Sequence, residues 1–201
     1  IQVRATVGMV FQNPDNQIVS TLVRDEVAFG PENLGLPRDE LRRRVEQALR
    51  DTHLEAAAGR NPRTLSAGEK ARLAIAAILA MHPACLVLDE STAMLGPQAR
   101  LQVLALLRSL HRSDLAVVAI THSMDEVVSA QRVLVLDRGA VALVGTPREV
   151  FAQRERLDEL ALSLPPAAAI AQGLRARGCT LPEGILTQEE LVRAVMVGRR
   201  S

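Results

Sequence analysis

Lysine is almost missing from this chain: Lys70 stands alone among 24 basic residues, and arginine supplies the rest. Genome composition explains that bias most simply. A sharper absence accompanies it. No G-x-x-x-x-G-K-[ST] stretch occurs, so the loop whose backbone N–H groups and lysine would cradle nucleotide phosphates is not in this sequence. Cysteine is scarce as well. Cys85 and Cys179 stand far apart, which excludes a disulfide framework and a cysteine metal site and fits a reducing, cytoplasmic setting. No apolar run approaches the roughly 20 residues of a membrane helix, and a secretory leader is not expected. Charge of one sign is lacking too: the net charge is +1, without a long basic or acidic block, so nothing recommends a nucleic-acid partner.

What is present is ordinary for a globular protein. The 201 residues, 48% of them hydrophobic, suit one medium domain plus an appendage and exclude general disorder. The chain opens on Ile1, directly in strand-like sequence, and a truncated start is expected. Residues 6–11 read as a short buried strand ended by Gln12, and Asn13-Pro14-Asp15-Asn16 as a turn. Pro37 opens an Arg/Glu-rich helix in which Leu41, Val45 and Leu49 recur at helical spacing. A loop with Gly59 and Pro62 leads to Ser66, and a helix then runs through Ile75 and Leu79 to about Met81.

Three short apolar runs follow, at residues 85–88, 115–120 and 133–136. Flanked by helical patterns and apolar on both faces, they look like strands of a mostly parallel sheet covered on both sides. Asp137-Arg138-Gly139-Ala140 reads as a hairpin turn into residues 141–144. Residues 153–201 read as small helices broken by Pro165-Pro166 and Gly178. The predicted fold class is therefore α/β, with no internal repeat.

Four places carry chemistry. Asp89 and Glu90 end a buried run, where ligands of open α/β sheets sit. Adjacent carboxylates there point in different directions, so one can support Mg²⁺ while the other orients or deprotonates a water. Ser66-Ala67-Gly68-Glu69 is a capping box, in which Ser66 and Glu69 satisfy free N–H groups at a helix start. With Gly68 allowing close approach, the same helix end can also receive an anion. His122 follows the run at 115–120, placed to hydrogen-bond a phosphate or a water. Gln12 has an amide able to meet Mg²⁺ or water at the head of a turn. His53, His82 and His111 sit on helical or loop sequence and receive no role.

Taken in order, Gln12, Leu65-Ser66-Ala67-Gly68-Glu69-Lys70, Leu86-Val87-Leu88-Asp89-Glu90 and His122 resemble the ATP-binding cassette (ABC) ATPases over roughly residues 1–150. The resemblance implies a P-loop NTPase-like ABC core, incomplete at its N-terminus, over residues 1–150. A helical subdomain would occupy about residues 30–82, and a small helical extension residues 151–201. It implies ATP and Mg²⁺ as ligands. Gln12 would be the Q-loop glutamine, serving both Mg²⁺ and catalysis, and Asp89 the Walker B aspartate on Mg²⁺. Glu90 would be the catalytic glutamate and His122 the switch histidine. Ser66, Ala67, Gly68 and Glu69 would form the signature that meets ATP held by a partner subunit.

A narrower resemblance rests on Val10-Phe11-Gln12-Asn13-Pro14-Asp15-Asn16-Gln17, on Asp25-Glu26-Val27-Ala28-Phe29-Gly30-Pro31-Glu32-Asn33-Leu34-Gly35 and on Glu90-Ser91-Thr92-Ala93-Met94-Leu95. These are similar to the ATPase subunits of energy-coupling factor (ECF) importers of vitamins and of cobalt or nickel ions. The partners implied are a second ATPase subunit, identical or different, an integral membrane coupling protein and a substrate-binding membrane component. The setting implied is the cytoplasmic face of the membrane, with residues 16–29 meeting the membrane protein. Three departures stand out: Ala67 replaces the first signature glycine, Glu69 the usual glutamine, and Gly96 the D-loop aspartate. Lacking the phosphate loop, this chain alone is expected to bind ATP poorly and not to turn it over. Two other readings follow from the same residues, a degenerate, non-catalytic ABC partner and a soluble ABC ATPase outside transport.

Overall fold

The computed structural model describes residues 6–110 and 115–198; His111 lies outside them. The chain forms two compact units, Ile1–Ile120 and Thr121–Ser201. In the first, β1 (Val7–Val10), β2 (Cys85–Asp89) and β3 (Ala116–Ile120) form a parallel sheet in the order β1-β2-β3. Val10 pairs with Leu88, and Asp89 with Ile120, so the three strands end at one level. The helices of this unit are α1 (Val23–Asn33), α2 (Arg38–Asp51), α3 (Ala67–Leu79) and α4 (Pro97–Leu110).

Two apolar clusters build the unit, and α3 serves both. Leu73, Ala76 and Ala80 pack with Val23 and Val27 of α1 and Val45 and Leu49 of α2. Ala71, Ala74 and Ile75 pack with Val10, Leu86 and Leu88 of the sheet and Val103 and Leu107 of α4. A helix that buries two faces has little room for polar residues, which accounts for the Ala/Leu/Ile run after Lys70. Gly8 lets β1 approach α3 closely, since a Cβ there would collide with Ile78. The segment entering α1 is pinned by the buried Glu26 carboxylate, which accepts from Val19 N at 2.9 Å and Ser20 N at 2.7 Å.

The expectation of strands buried on both faces needs correction. Leu86 and Leu88 are buried against helices, but Val118 and Ile120 of β3 are 48% and 49% exposed. The clustered helices α3 and α4 lie on the face that Val10, Leu86 and Leu88 present, and the alternate residues of each strand face the other way.

The run at 133–136 is also corrected. It lies in the second unit, where β4 (Val133–Asp137) pairs antiparallel with β5 (Ala140–Gly145) as a separate two-stranded sheet. Arg138 (φ 49°) and Gly139 (φ 81°) both sit in the left-handed region, the backbone of a two-residue hairpin turn. A link that short cannot make the crossover a parallel strand requires.

Short helices complete this unit: α5 (Met124–Val127), α6 (Pro147–Ala152), α7 (Arg154–Glu159), α8 (Pro166–Ala176) and α9 (Gln188–Gly198). Leu143 of β5, Val150 and Phe151 of α6, Leu157 of α7 and Ala168 of α8 share one core. Arg148 of α6 holds the Gly184 carbonyl and the Glu190 carboxylate, tying α6 to α9. Hence β5 and the helices after it pack as one body across residue 150, where the sequence suggests the ATPase core gives way to an extension.

Candidate nucleotide site

The site begins at the C-terminal ends of β1 and β2. Val10 and Leu88 are register partners, and Gln12 and Glu90 each lie two residues further on. Parallel strands in this register bring the two side chains together: Gln12 Nε2 donates to Glu90 Oε2 at 3.1 Å. Glu90 has φ 47°, a conformation that costs a non-glycine residue about 1–3 kcal/mol. Its N–H donates to Ile120 O at 3.0 Å, so the end of β3 holds the strained residue in place. The strain turns Glu90 out of the strand direction that Asp89, still paired in β2, retains.

The donor set suits a magnesium ion that is completed by phosphates and water. With Nε2 on Glu90, the Oε1 of Gln12 remains an oxygen donor, and the Asp89 carboxylate is a second, partly buried one. Among the described residues no cluster of three or more His, Cys, Asp or Glu could hold a metal by itself. Mg²⁺ commonly takes only one or two carboxylates alongside substrate phosphates, so these residues fit that kind of site.

The start of α3 is wired as the sequence reading expects. Ser66 N and Oγ both donate to Glu69 Oε2 at 2.8 Å, and Glu69 N donates back to Ser66 Oγ at 3.3 Å. Arg60 reaches Glu69 Oε1 at 3.2 Å and the Thr64 carbonyl at 2.9 Å. The Ser66 backbone N–H, then its hydroxyl, hold the Glu69 carboxyl below its ordinary value, and Arg60 and Arg72 add to this. Glu69 is thus an anion already seated at the positive end of the helix. A phosphate arriving there must draw the Ser66 hydroxyl away from it. Ser66 and Ala67 are exposed and available for an approach from outside.

Gly68 serves a packing purpose as well. A Cβ at that position would come within 2.9 Å of Ala99 Cβ in α4, so the glycine lets α3 and α4 meet closely. At Gly96 the surroundings are open, with nothing within 4 Å of an added Cβ. The D-loop departure is therefore not imposed by packing.

His122 falls in the second unit, one residue beyond its first, and is exposed. Next to it, Ser123 N donates to Thr121 Oγ1 at 3.0 Å, a local turn at the entry to α5. Gln12, Asp89 and Glu90 are thus assembled by the sheet of the first unit, with Ser66 to Glu69 at the start of α3 in that unit.

Two participants escape a reading based on local patterns. Lys70 Nζ lies 2.6 Å from Asp15 Oδ1 in the turn after Gln12. Gln17 stitches that turn to β1, accepting from Phe11 N at 2.8 Å and donating to Met9 O at 3.2 Å. Neither contact has a periodic or spacing signature.

Comparison with known proteins gives the family. The family described as "ABC transporter" matches residues 1–93. The energy-coupling factor transporter ATP-binding protein EcfA1 of Symbiobacterium thermophilum is 57% identical over 194 residues, spanning 96% of this chain and 68% of that relative. The EcfA1 protein of Caldanaerobacter subterraneus is 48% identical, over 96% of this chain and 70% of its own length.

This chain belongs to the ABC transporter ATPases, among the ATP-binding proteins of energy-coupling factor transporters.

A solved structure of cbiO1 from Clostridium perfringens, described as part of the ABC transporter complex cbiONQ, matches with a TM-score of 0.71 at 39% identity. It covers 81% of this chain, which in turn spans 66% of that protein. The α/β class and the ABC ATPase core expected from the sequence are thereby shown. No described helix is long and apolar enough to cross a membrane.

Proposed function

We propose that, within the complete protein, this chain is the ATP-binding and ATP-hydrolysing subunit that energises an ECF-type importer of vitamins or transition-metal ions. The observation that carries this reading is the Gln12–Glu90 contact, which joins two separate strand ends at the place where a water must be activated. Glu90 accepts the proton of the attacking water, and the Gln12 amide keeps its carboxylate aimed. Bound Mg²⁺, next to Asp89 and Gln12, would supply charge neutralisation on the phosphates. His122 stabilises charge on the transferred phosphoryl group. Ser66 and the N–H groups of Ala67 and Gly68, with Glu69 holding the helix start, close on ATP held by a second ATPase subunit.

The surface around residues 16–29 meets an integral membrane coupling protein, which works with a substrate-binding membrane component at the cytoplasmic face. Phe29 and Val19, 51% and 66% exposed, give that surface apolar anchors. A degenerate partner subunit is a second reading, favoured by the negative charge of Glu69 at the helix end where a phosphate would sit. The test is uptake. Reconstituted in vesicles with its partners, the complete protein should accumulate a vitamin or a cobalt or nickel ion only when hydrolysable ATP is supplied. Equal uptake with a non-hydrolysable analogue would overturn the proposal.

A further inference from the structure

We infer that Lys70 is a positioning residue for hydrolysis: through Asp15 it ties the turn that carries Gln12 to the start of α3. The inference rests on the proposed function, because it concerns the same site.

The turn is built as a block. Asp15 N donates to Asn13 Oδ1 at 3.0 Å, and Gln17 N and Ile18 N donate to Pro14 O at 3.0 and 3.2 Å. The Gln17 amide side chain locks it to β1 through Phe11 N and Met9 O. Two side chains leave this block for other elements. Gln12 reaches Glu90 beyond β2, and Asp15 reaches Lys70 of α3. Lys70 follows directly on the capping box of Ser66 and Glu69, so its backbone moves with the exposed tip of that helix.

The pair is not a stability device. Ion pairs of this exposure add little to stability, and the Asp15 side chain is 60% exposed. What the pair sets is position. The Lys70 side chain is only 20% exposed, so its ammonium has little freedom to leave the place where Asp15 meets it. A displacement of the α3 tip relative to β2 must then either drag the block, moving Gln12 on Glu90, or break the pair. Engagement of the α3 tip with nucleotide and the aim of Glu90 are in this way made interdependent. Lys70 is the sole lysine in the chain, and no second ammonium can take over the role.

The test uses the assembled transporter with Lys70→Met, Asp15→Asn, the pair combined, Lys70→Arg, and the exchange Asp15→Lys with Lys70→Asp. Each single neutral variant should lower kcat about 3- to 10-fold while KM for ATP moves less than about 2-fold. The combined variant should be no worse than the poorer single, because both break one link. Lys70→Arg should keep most of the rate, and the exchange should recover at least part of it. Unchanged kcat in the singles, losses that multiply in the combination, or an effect confined to KM would each overturn the inference. A second readout needs no turnover. In the complete protein, Lys70→Met should speed amide exchange in residues 11–17 by up to about 5-fold, and unaltered exchange there would also overturn it. A wild-type assembly without ATPase activity would defeat the proposed function, while the exchange measurement would still decide the link.

Discussion

The two units of this chain carry the same cap in nearly the same geometry. At α3, Ser66 N and Oγ donate to Glu69 Oε2, and Glu69 N returns a bond of 3.3 Å to Ser66 Oγ. At α6, Thr146 N and Oγ1 donate to Glu149 Oε2 at 2.7 and 3.0 Å, and Glu149 N returns a bond of 3.3 Å. Local bonding therefore does not distinguish them. Their surroundings do. Ser66 opens a 13-residue helix shared by two cores, with Gly68 against α4, Arg60 on Glu69 and Lys70 leading to the turn of Gln12. Thr146 opens a 6-residue helix with Pro147 at its first turn, which stops the chain after β5 and builds a small core. A capping box is a structural device first. The ligand role proposed for the Ser66 cap rests on what surrounds it.

That contrast can be tested in descending order of effect. Ser66→Ala removes a hydroxyl donor to phosphate and should cut turnover of the assembled transporter by about 10²-fold or more. It should also lose about 0.5–2 kcal/mol of stability as a cap. Thr146→Ala should bring a comparable stability loss with turnover unchanged. Similar rates for the two variants, measured side by side, would erase the functional distinction.

Next come the glycines. Gly68→Ala meets Ala99 across a tight helix contact and should destabilise by about 1–3 kcal/mol in a denaturant titration. An added Cβ at Gly145 meets instead the Glu149 side chain, with its Oε2 at 2.9 Å. That oxygen accepts both cap bonds of Thr146, and the Glu149 Cβ lies at 3.1 Å, so Gly145→Ala should destabilise by loosening the α6 cap instead of a helix–helix contact.

The smallest effect is on pH dependence. Glu69 and Glu149 are both held below the ordinary carboxylate value, each first by the backbone N–H and then by the hydroxyl of its cap residue. For a lowered folded pKa, the stabilisation is complete above the unfolded carboxylate pKa and is lost as pH falls through the folded one. Acid should therefore weaken both caps. Glu69→Gln should flatten the acid limb of the stability profile, and an unchanged limb would show that Glu69 contributes nothing to it.

Much of this was legible in the sequence, for identifiable reasons. Motifs made of neighbours in sequence, such as Ser66 with Glu69 or Arg138 with Gly139, depend on local backbone geometry, and both appear as read. The order Gln12, Ser66, Asp89, Glu90, His122 points to the family. The run at 133–136 was misplaced because short apolar strands carry no mark of their partner or its direction. Apolar residues on both faces of the run at 115–120 suggest burial on both, but such a pattern cannot report which face a helix covers. Lys70 with Asp15, and Gln17 on β1, depend on tertiary proximity without a repeat or spacing to betray it.

The central claim is that Glu90, aimed by Gln12, is the base that activates water. Steady-state ATP turnover of the complete transporter carrying Glu90→Gln tests it most directly. The account predicts a fall of about 10²- to 10⁴-fold, with ATP retained in a closed pair of ATPase subunits. Turnover close to that of the unaltered protein would contradict it.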